Sequence, residues 1–171
     1  MEQEITMTDR RAAEIMSEKK LIGKLKEMGV NIEKDGNTIS LHSDSAFNGL
    51  LAKNVLIAFN RGFDAKTSAN LLDGNFDIAV INISDYASSK KRQIELKGRV
   101  IGNRGIIKTR IMKDTSCWIK VYGKTVSIIG PVETIGIAVY AIEMILNGAK
   151  HDSVFSMINK MKLEMYINGN S

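Results

Sequence analysis

The sequence predicts an α+β protein made of two copies of one unit, each a three-stranded antiparallel sheet with helices packed on one face. Three observations carry that expectation. A shift of 87 residues lays Val30-Asn31-Ile32 on Cys117-Trp118-Ile119 and Gly36-Asn37-Thr38-Ile39 on Gly123-Lys124-Thr125-Val126. The same shift lays Phe47, Leu50, Leu51 and Val55 on Thr134, Ile137, Ala138 and Ile142, and Asn60 on Asn147 shortly before a glycine in each copy. Finally, the order of patterns is the same in both halves: strand, helix, helix, strand, strand, helix.

In the first copy, residues 4–8 read as a strand and two helical stretches follow, parted at Met16-Ser17-Glu18-Lys19-Lys20. Alternating runs at 30–34 and 38–42 flank a Gly turn and predict a hairpin. The amphipathic run 45–61 opens on a capping serine and stops near Gly62, so it predicts a long helix. Residues 64–72 predict a short connecting helix. In the second copy, the strand falls at 77–84, the hairpin at 118–122 and 125–129, and the long helix at 131–146, with Pro131 as an N1-type residue and a stop near Gly148. A last amphipathic helix, 153–166, carries Val154, Ile158, Met161 and Met165 on one stripe. The expected division is 1–62, a linker at 63–75, 76–150, and a C-terminal helix and tail at 151–171.

The chain has 171 residues, 44% hydrophobic and 25% charged with a single proline, which suits one or two small folded domains and excludes a large multidomain enzyme. Cys117 stands alone, so no intramolecular disulfide forms; with no signal-like opening, the expectation is a cytoplasmic protein. Pro131, Glu133 and Glu143 interrupt the most apolar stretch, which excludes a membrane span. The net charge of +5 is unevenly placed. Residues 1–75 carry 10 Lys and Arg against 11 Asp and Glu, whereas 76–171 carry 14 against 8. Within 88–113, nine basic residues face the lone acid Glu95, which marks that window as a phosphate-binding face.

That window contains Val100-Ile101-Gly102-Asn103-Arg104-Gly105-Ile106-Ile107-Lys108. Two glycines three apart allow a tight turn between helices and a close backbone approach to a ligand, and the following helix directs its first amides at phosphates. Arg104 and Lys108 add charge. Here the sequence resembles the type I KH domain, whose GXXG loop clamps the backbone of about four nucleotides beside an apolar groove. The resemblance makes the fold two tandem type I KH-like domains, the first degenerate because its loop has no glycine. It implies an RNA site of Gly102, Asn103, Arg104, Gly105, Lys108, Arg99 and Arg110, with a groove lined by Val100, Ile101, Ile107, Ile111 and Ile119. Those five apolar residues also suit a core, and both uses stay open. Lys19 and Lys20 read as a solvated helix end.

The order of a degenerate and a GXXG-bearing lobe, with Tyr122-Gly123-Lys124-Thr125-Val126-Ser127-Ile128-Ile129-Gly130 and the stretch from Ala141 to Val154, is similar to archaeal KH-domain proteins related to the eukaryotic pre-ribosomal RNA processing factor called partner of Nob. That resemblance implies single-stranded RNA binding near the 3′ end of small-subunit ribosomal RNA, a maturation endonuclease as partner, and contact with the α subunit of translation initiation factor two. A KH-fold adaptor that contacts protein instead, or a KH protein of another RNA-processing complex, is the alternative. No enzyme, cofactor or metal is expected. Gly123-Lys124-Thr125 ends like a P-loop, but Trp118 stands where its first glycine belongs. Val100 occupies the second glycine of a dinucleotide fingerprint, and His42 and His151 lack partners at metal-ligand spacing.

Overall fold

The structure, a computed structural model, describes residues 2–169. The chain divides into two compact units, Met1–Ile78 and Ala79–Ser171. In the first, β1 (Glu2–Thr6) leads to α1 (Asp9–Ser17) and α2 (Lys19–Glu27), then to the hairpin of β2 (Val30–Asp35) and β3 (Thr38–Ser43), and to α3 (Ala46–Asn60). The expected strand at 4–8 lies two residues early, because Thr8 is the N-cap of α1 and its side chain accepts from the Arg11 amide. A short helix α4 (Ala65–Ser68), capped by Asp64, and a 3₁₀ turn (Ala69–Leu72) close the unit. The sheet order is β1-β3-β2, with Ile5 opposite Ile39 and Ile32 opposite Leu41 in antiparallel register. Alternate residues of β3 are buried, so one face of the sheet meets the core with α1, α2 and α3.

The second unit repeats the order. β4 (Phe76–Asn82) is followed by a 3₁₀ turn (Ile83–Asp85), α5 (Lys90–Ile101), a 3₁₀ turn (Asn103–Gly105), α6 (Ile106–Thr115), β5 (Trp118–Tyr122), β6 (Thr125–Pro131) and α7 (Val132–Leu146). The sheet order is β4-β6-β5, with β5 and β6 antiparallel. Gly36 and Gly123 turn the two hairpins with φ of +56° each, a conformation glycine adopts without a Cβ clash. The helix α8 (His151–Gly169) is longer than the expected 153–166. Val154 and Ile158 are buried as expected; beside them it is Phe155 that joins the core, while Met165 is exposed.

The repeat is exact in the hairpins but slips by one residue afterwards. Asn31 faces His42 in the first hairpin and Trp118 faces Ile129 in the second, the same register after a shift of 87. In the third helices a shift of 86 matches instead, laying buried Leu51, Ala52, Val55, Leu56 and Phe59 on buried Ile137, Ala138, Ala141, Ile142 and Ile145. The physical reason is the junction. The first copy uses Asp44 and Ser45 as a loop, Ser45 accepting from the Asn48 amide, whereas β6 runs directly into α7 with Pro131 both last in the strand and at the N-cap. Pro131 therefore stands one position before the expected N1.

One contact that no pattern in the sequence announces occurs in both units. The Arg11 guanidinium donates to the carbonyl oxygens of Phe59 and Phe63, at the C-terminal end of α3. The Arg99 guanidinium donates to those of Ile145 (2.8 Å), in the last turn of α7, and Ala149 just beyond it, the same two places in the second unit. Helix C-termini leave carbonyls unsatisfied and carry partial negative charge, so a guanidinium fork is well matched to them. In the first unit the same guanidinium also stacks on the Phe59 ring, 3.9 Å from its centre.

Candidate nucleic-acid interface

Ser89 caps α5, accepting from the Arg92 amide, and the helix ends when Gly102 leaves the helical region at φ +74° and ψ 172°. The Gly102 amide still donates to Gly98 O (2.8 Å), and the Gly105 amide closes the turn onto Gly102 O (3.1 Å). A Cβ on Gly102 would lie 2.8 Å from Ile107 Cβ and 2.9 Å from the Ile107 amide nitrogen, distances that side chains do not tolerate. Only glycine fits there. Gly105 faces open space but holds φ +81°, and Arg104 between them sits at φ 51° and ψ 25° in the left-handed region, a cost of about 1 kcal/mol that the turn geometry imposes. With glycine at its N-cap, α6 has no side chain accepting from its first-turn amides.

The turn and the outer face of α6 together form an open groove of about 550 Å³ lined by Asn103, Arg104, Ile106, Thr109, Arg110 and Lys113. Asn103 and Arg104 are exposed on it. Lys108 is half-buried and does not line it. Arg110 reaches the groove with its guanidinium stacked on the Phe155 ring, 3.7 Å from the centre, and 3.6 Å from an Asp114 carboxylate oxygen. Arg99, expected in the site, has its guanidinium turned to the end of α7, and its own carbonyl lies 3.0 Å from His151 Nε2. It underpins the last turn before Gly102 rather than facing solvent.

The five expected apolar lining residues divide. Val100, Ile111 and Ile119 are shut inside the core at 0%, 0% and 3% exposure, because α5, α6 and β5 all present them to α7 and the sheet. In this conformation they offer no surface to a ligand. Ile107 is half-buried beneath Gly102, and Ile101 stands at the surface. Ile106, Thr109 and Lys113 line the groove and were not expected there. Helical spacing held the signal: 106, 110 and 113 share one face of α6, while 107, 111 and 115 share the opposite, buried one.

Burial pushes the Cys117 thiol up from its ordinary value, although Thr115 and Thr134 oppose this with hydrogen bonds. The sulfur packs against Gly130, where a Cβ would collide with it, so Cys117 is a small apolar filler between hairpin strands.

Comparison with known proteins matches residues 77–163, half of the chain, to the family model of the eukaryotic-type KH domain (KH domain type I), in the form of the second such domain of PNO1. The chain belongs to the KH family. A KH domain-containing protein of Methanocaldococcus jannaschii is 35% identical over 140 residues, covering 79% of this chain and 62% of the relative, so the chain spans less than two thirds of that protein. Dim2p of Pyrococcus horikoshii superposes with a TM-score of 0.80 at 26% identity, over 94% of this chain and 99% of that one. The a/eIF2alpha–aDim2p–rRNA complex from the same organism contains a chain that superposes at 0.82 with 24% identity, over 96% and 95%. A protein of unknown function from Aeropyrum pernix shares the fold at 0.87 and 21% identity, over 98% and 96%. The matched range contains Gly102-Asn103-Arg104-Gly105, which lie between α5 and α6. Among the described residues no helix is long and apolar enough to cross a membrane.

Proposed function

We propose that this chain is a single-stranded RNA-binding protein of small-subunit ribosome assembly that binds near the 3′ end of the small-subunit ribosomal RNA. The observation that carries the reading is the GXXG turn itself: a glycine that nothing can replace at 102, a left-handed Arg104, and an uncapped helix opening on a basic groove. Gly102, Asn103, Arg104 and Gly105 clamp the phosphates, Lys108 and Arg110 add positive charge, and Ile106, which lines the groove, forms the accessible apolar side with Ile101 at the surface. Arg99 acts from behind as a positioning residue. The chain works as a binding protein and not as an enzyme, which the match to an RNA-binding family supports.

We read the chain as two type I KH-like domains, 1–62 and 76–150, with a linker at 63–75 and a C-terminal helix from 151; the first has lost its clamp and supplies packing or a protein contact. Exposed Phe47 and Leu50, one turn apart on α3, support a protein contact for the first. The partners we assign are ribosomal RNA, the α subunit of translation initiation factor two, and a maturation endonuclease. The Pyrococcus complex, in which Dim2p is held with a/eIF2alpha and rRNA, supports the first two. The place of work is the cytoplasm.

Competition tests the reading. A labelled single strand carrying the 3′-end sequence of the small-subunit RNA should be displaced by the same unlabelled strand and not by a duplex of equal length, because paired bases do not enter a KH groove. Equal displacement by the duplex overturns it.

A further inference from the structure

The helix α7 has no Lys or Arg along its length, whereas residues 76–171, which contain it, carry 14 such residues against 8 acids. Its charged residues are Glu133 and Glu143 alone. Val132, Gly136 and Tyr140 follow one another at four-residue spacing and share a face. The two outer side chains are 56% and 49% exposed, and a Cβ at Gly136 would meet nothing within 4 Å, so the face is an apolar ridge with an open notch. The notch opens onto a groove of about 520 Å³ between α7 and α8, lined by Glu133, Gly136 and Ile137 from one helix and by Met161, Glu164 and Met165 from the other. No lysine or arginine among the described residues lines it. Lys160 approaches Glu164 to 3.9 Å, but both side chains are exposed and water screens the pair.

We infer that the groove between α7 and α8 docks a cationic amphipathic helix presented by a protein partner. Charge complementarity selects that occupant: one glutamate from each helix, in a basic half of the chain, attracts lysine or arginine and repels the phosphates of a nucleic acid. The apolar floor of Ile137, Met161 and Met165 receives the apolar stripe that such a helix repeats every three or four residues. Methionine is unbranched and flexible, so the floor moulds itself to whichever aliphatic side chains arrive. At Gly136 the missing side chain lets one bulky residue of the partner come close to the α7 backbone. The inference does not depend on the RNA-binding reading above, since the acids that suit a cationic helix make this surface unfit for RNA. A second copy of the chain, offering the basic helix α5 with its exposed Ile94, is the competing occupant.

The full chain decides it in fluorescence anisotropy with a labelled helical peptide of about four turns, Leu on one stripe and Lys elsewhere, and a companion in which Glu replaces every Lys. The Lys peptide should bind with a dissociation constant on the order of 10 µM, and the Glu peptide at least about tenfold more weakly. Glu133→Gln with Glu164→Gln should weaken the Lys peptide roughly tenfold, while Glu27→Gln with Glu33→Gln, which removes the same charge from the first unit, should weaken it by less than about twofold. Gly136→Leu fills the notch from a Cβ that meets no other atom and replaces a poor helix former by a good one, so it should raise the melting temperature and still weaken the peptide roughly tenfold. Equal binding of the two peptides overturns the inference, because it reduces the groove to an unselective apolar surface. So do equal losses from the two glutamate pairs, or a Gly136→Leu chain that melts no lower than the wild type and binds the peptide unchanged. A chain that sediments as a dimer, and as a monomer once Glu133 and Glu164 are replaced, overturns it in favour of the second copy.

Discussion

Between α1 and α2 of the first unit stands one residue, Glu18; between α5 and α6 of the second stand four, Gly102 to Gly105. Around that difference the scaffolds agree closely, down to hairpin register, the buried face of the third helix, and an arginine that holds the end of that helix. The comparison teaches which features belong to folding and which to binding. Arg11 in the first unit and Arg99 in the second both donate to backbone carbonyls at the end of the third helix, Arg11 to the Glu14 carboxylate as well, so they serve the fold. The left-handed turn between the first two helices exists in one unit alone and adds backbone strain without adding to the core, which is why we assign it to binding.

Removing the shared arginines should produce the largest effect and should produce it twice. Arg11→Ala and Arg99→Ala each delete two hydrogen bonds from a charged donor to carbonyls at a helix end, Arg11→Ala also its Glu14 ion pair and its stacking on Phe59, and each should cost about 3 kcal/mol in urea unfolding of the full chain. Lysine should restore less than half, since it lacks the fork. A large loss from one and none from the other would break the equivalence of the two units.

Asn103→Asp with Arg104→Asp reverses the charge of the clamp on side chains that bear no core load. RNA affinity should fall on the order of a hundredfold with circular dichroism unchanged. Retained affinity would remove the turn from the site and leave the comparison purely architectural.

Matched reversals sharpen the division of labour. Lys108→Glu with Lys113→Glu, which spares the stacking of Arg110 on Phe155, should weaken a short RNA roughly tenfold. Lys19→Glu with Lys20→Glu changes formal charge equally and should weaken that short RNA by no more than about twofold, the general field effect. Similar losses in the short-RNA titration would show that the first unit clamps too.

The smallest effect concerns acid. Asp64 accepts from the Thr67 amide as the cap of α4, and this bond, with lesser ones, holds its carboxyl below the ordinary carboxylate value. Glu14 is likewise lowered, by hydrogen bonds from Arg10 and then Arg11. A depressed folded-state value gives stability that is present above the ordinary carboxylate range and is lost as pH falls through the depressed one. Asp64→Asn keeps a capping oxygen but cannot titrate, so its urea midpoint should decline less than that of the wild type between pH 7 and pH 3, by a contribution within the roughly 1 kcal/mol of an N-cap. An identical decline would assign the acid sensitivity to Glu14 and the rest of the molecule.

Much of this was legible in the chain itself. Repeat, hairpins and long helices were written in short-range patterns: Gly36 and Gly123 between alternating runs, Ser45 before an amphipathic stretch, Gly102 and Gly105 between two helical ones. Such features depend on backbone conformations and periodicities that a few neighbouring residues dictate, so they survive without knowledge of the partner surfaces. What the sequence left undecided depends on direction in space. Nothing local tells whether Val100, Ile111 and Ile119 face a groove or a core, since an apolar side chain suits either; the packing of α7 against α5 and α6 put them inside and turned Ile106 out. Nothing local distinguishes an arginine that waits for phosphate from one that caps a helix 46 residues away, as Arg99 does at Ile145, because the carbonyls it satisfies are brought to it only by the fold. The sequence by itself determined the elements, their order and the turn that makes this a KH domain; tertiary structure alone decided which charged and apolar side chains remained at the surface, because that outcome belongs to contacts between segments distant in the chain.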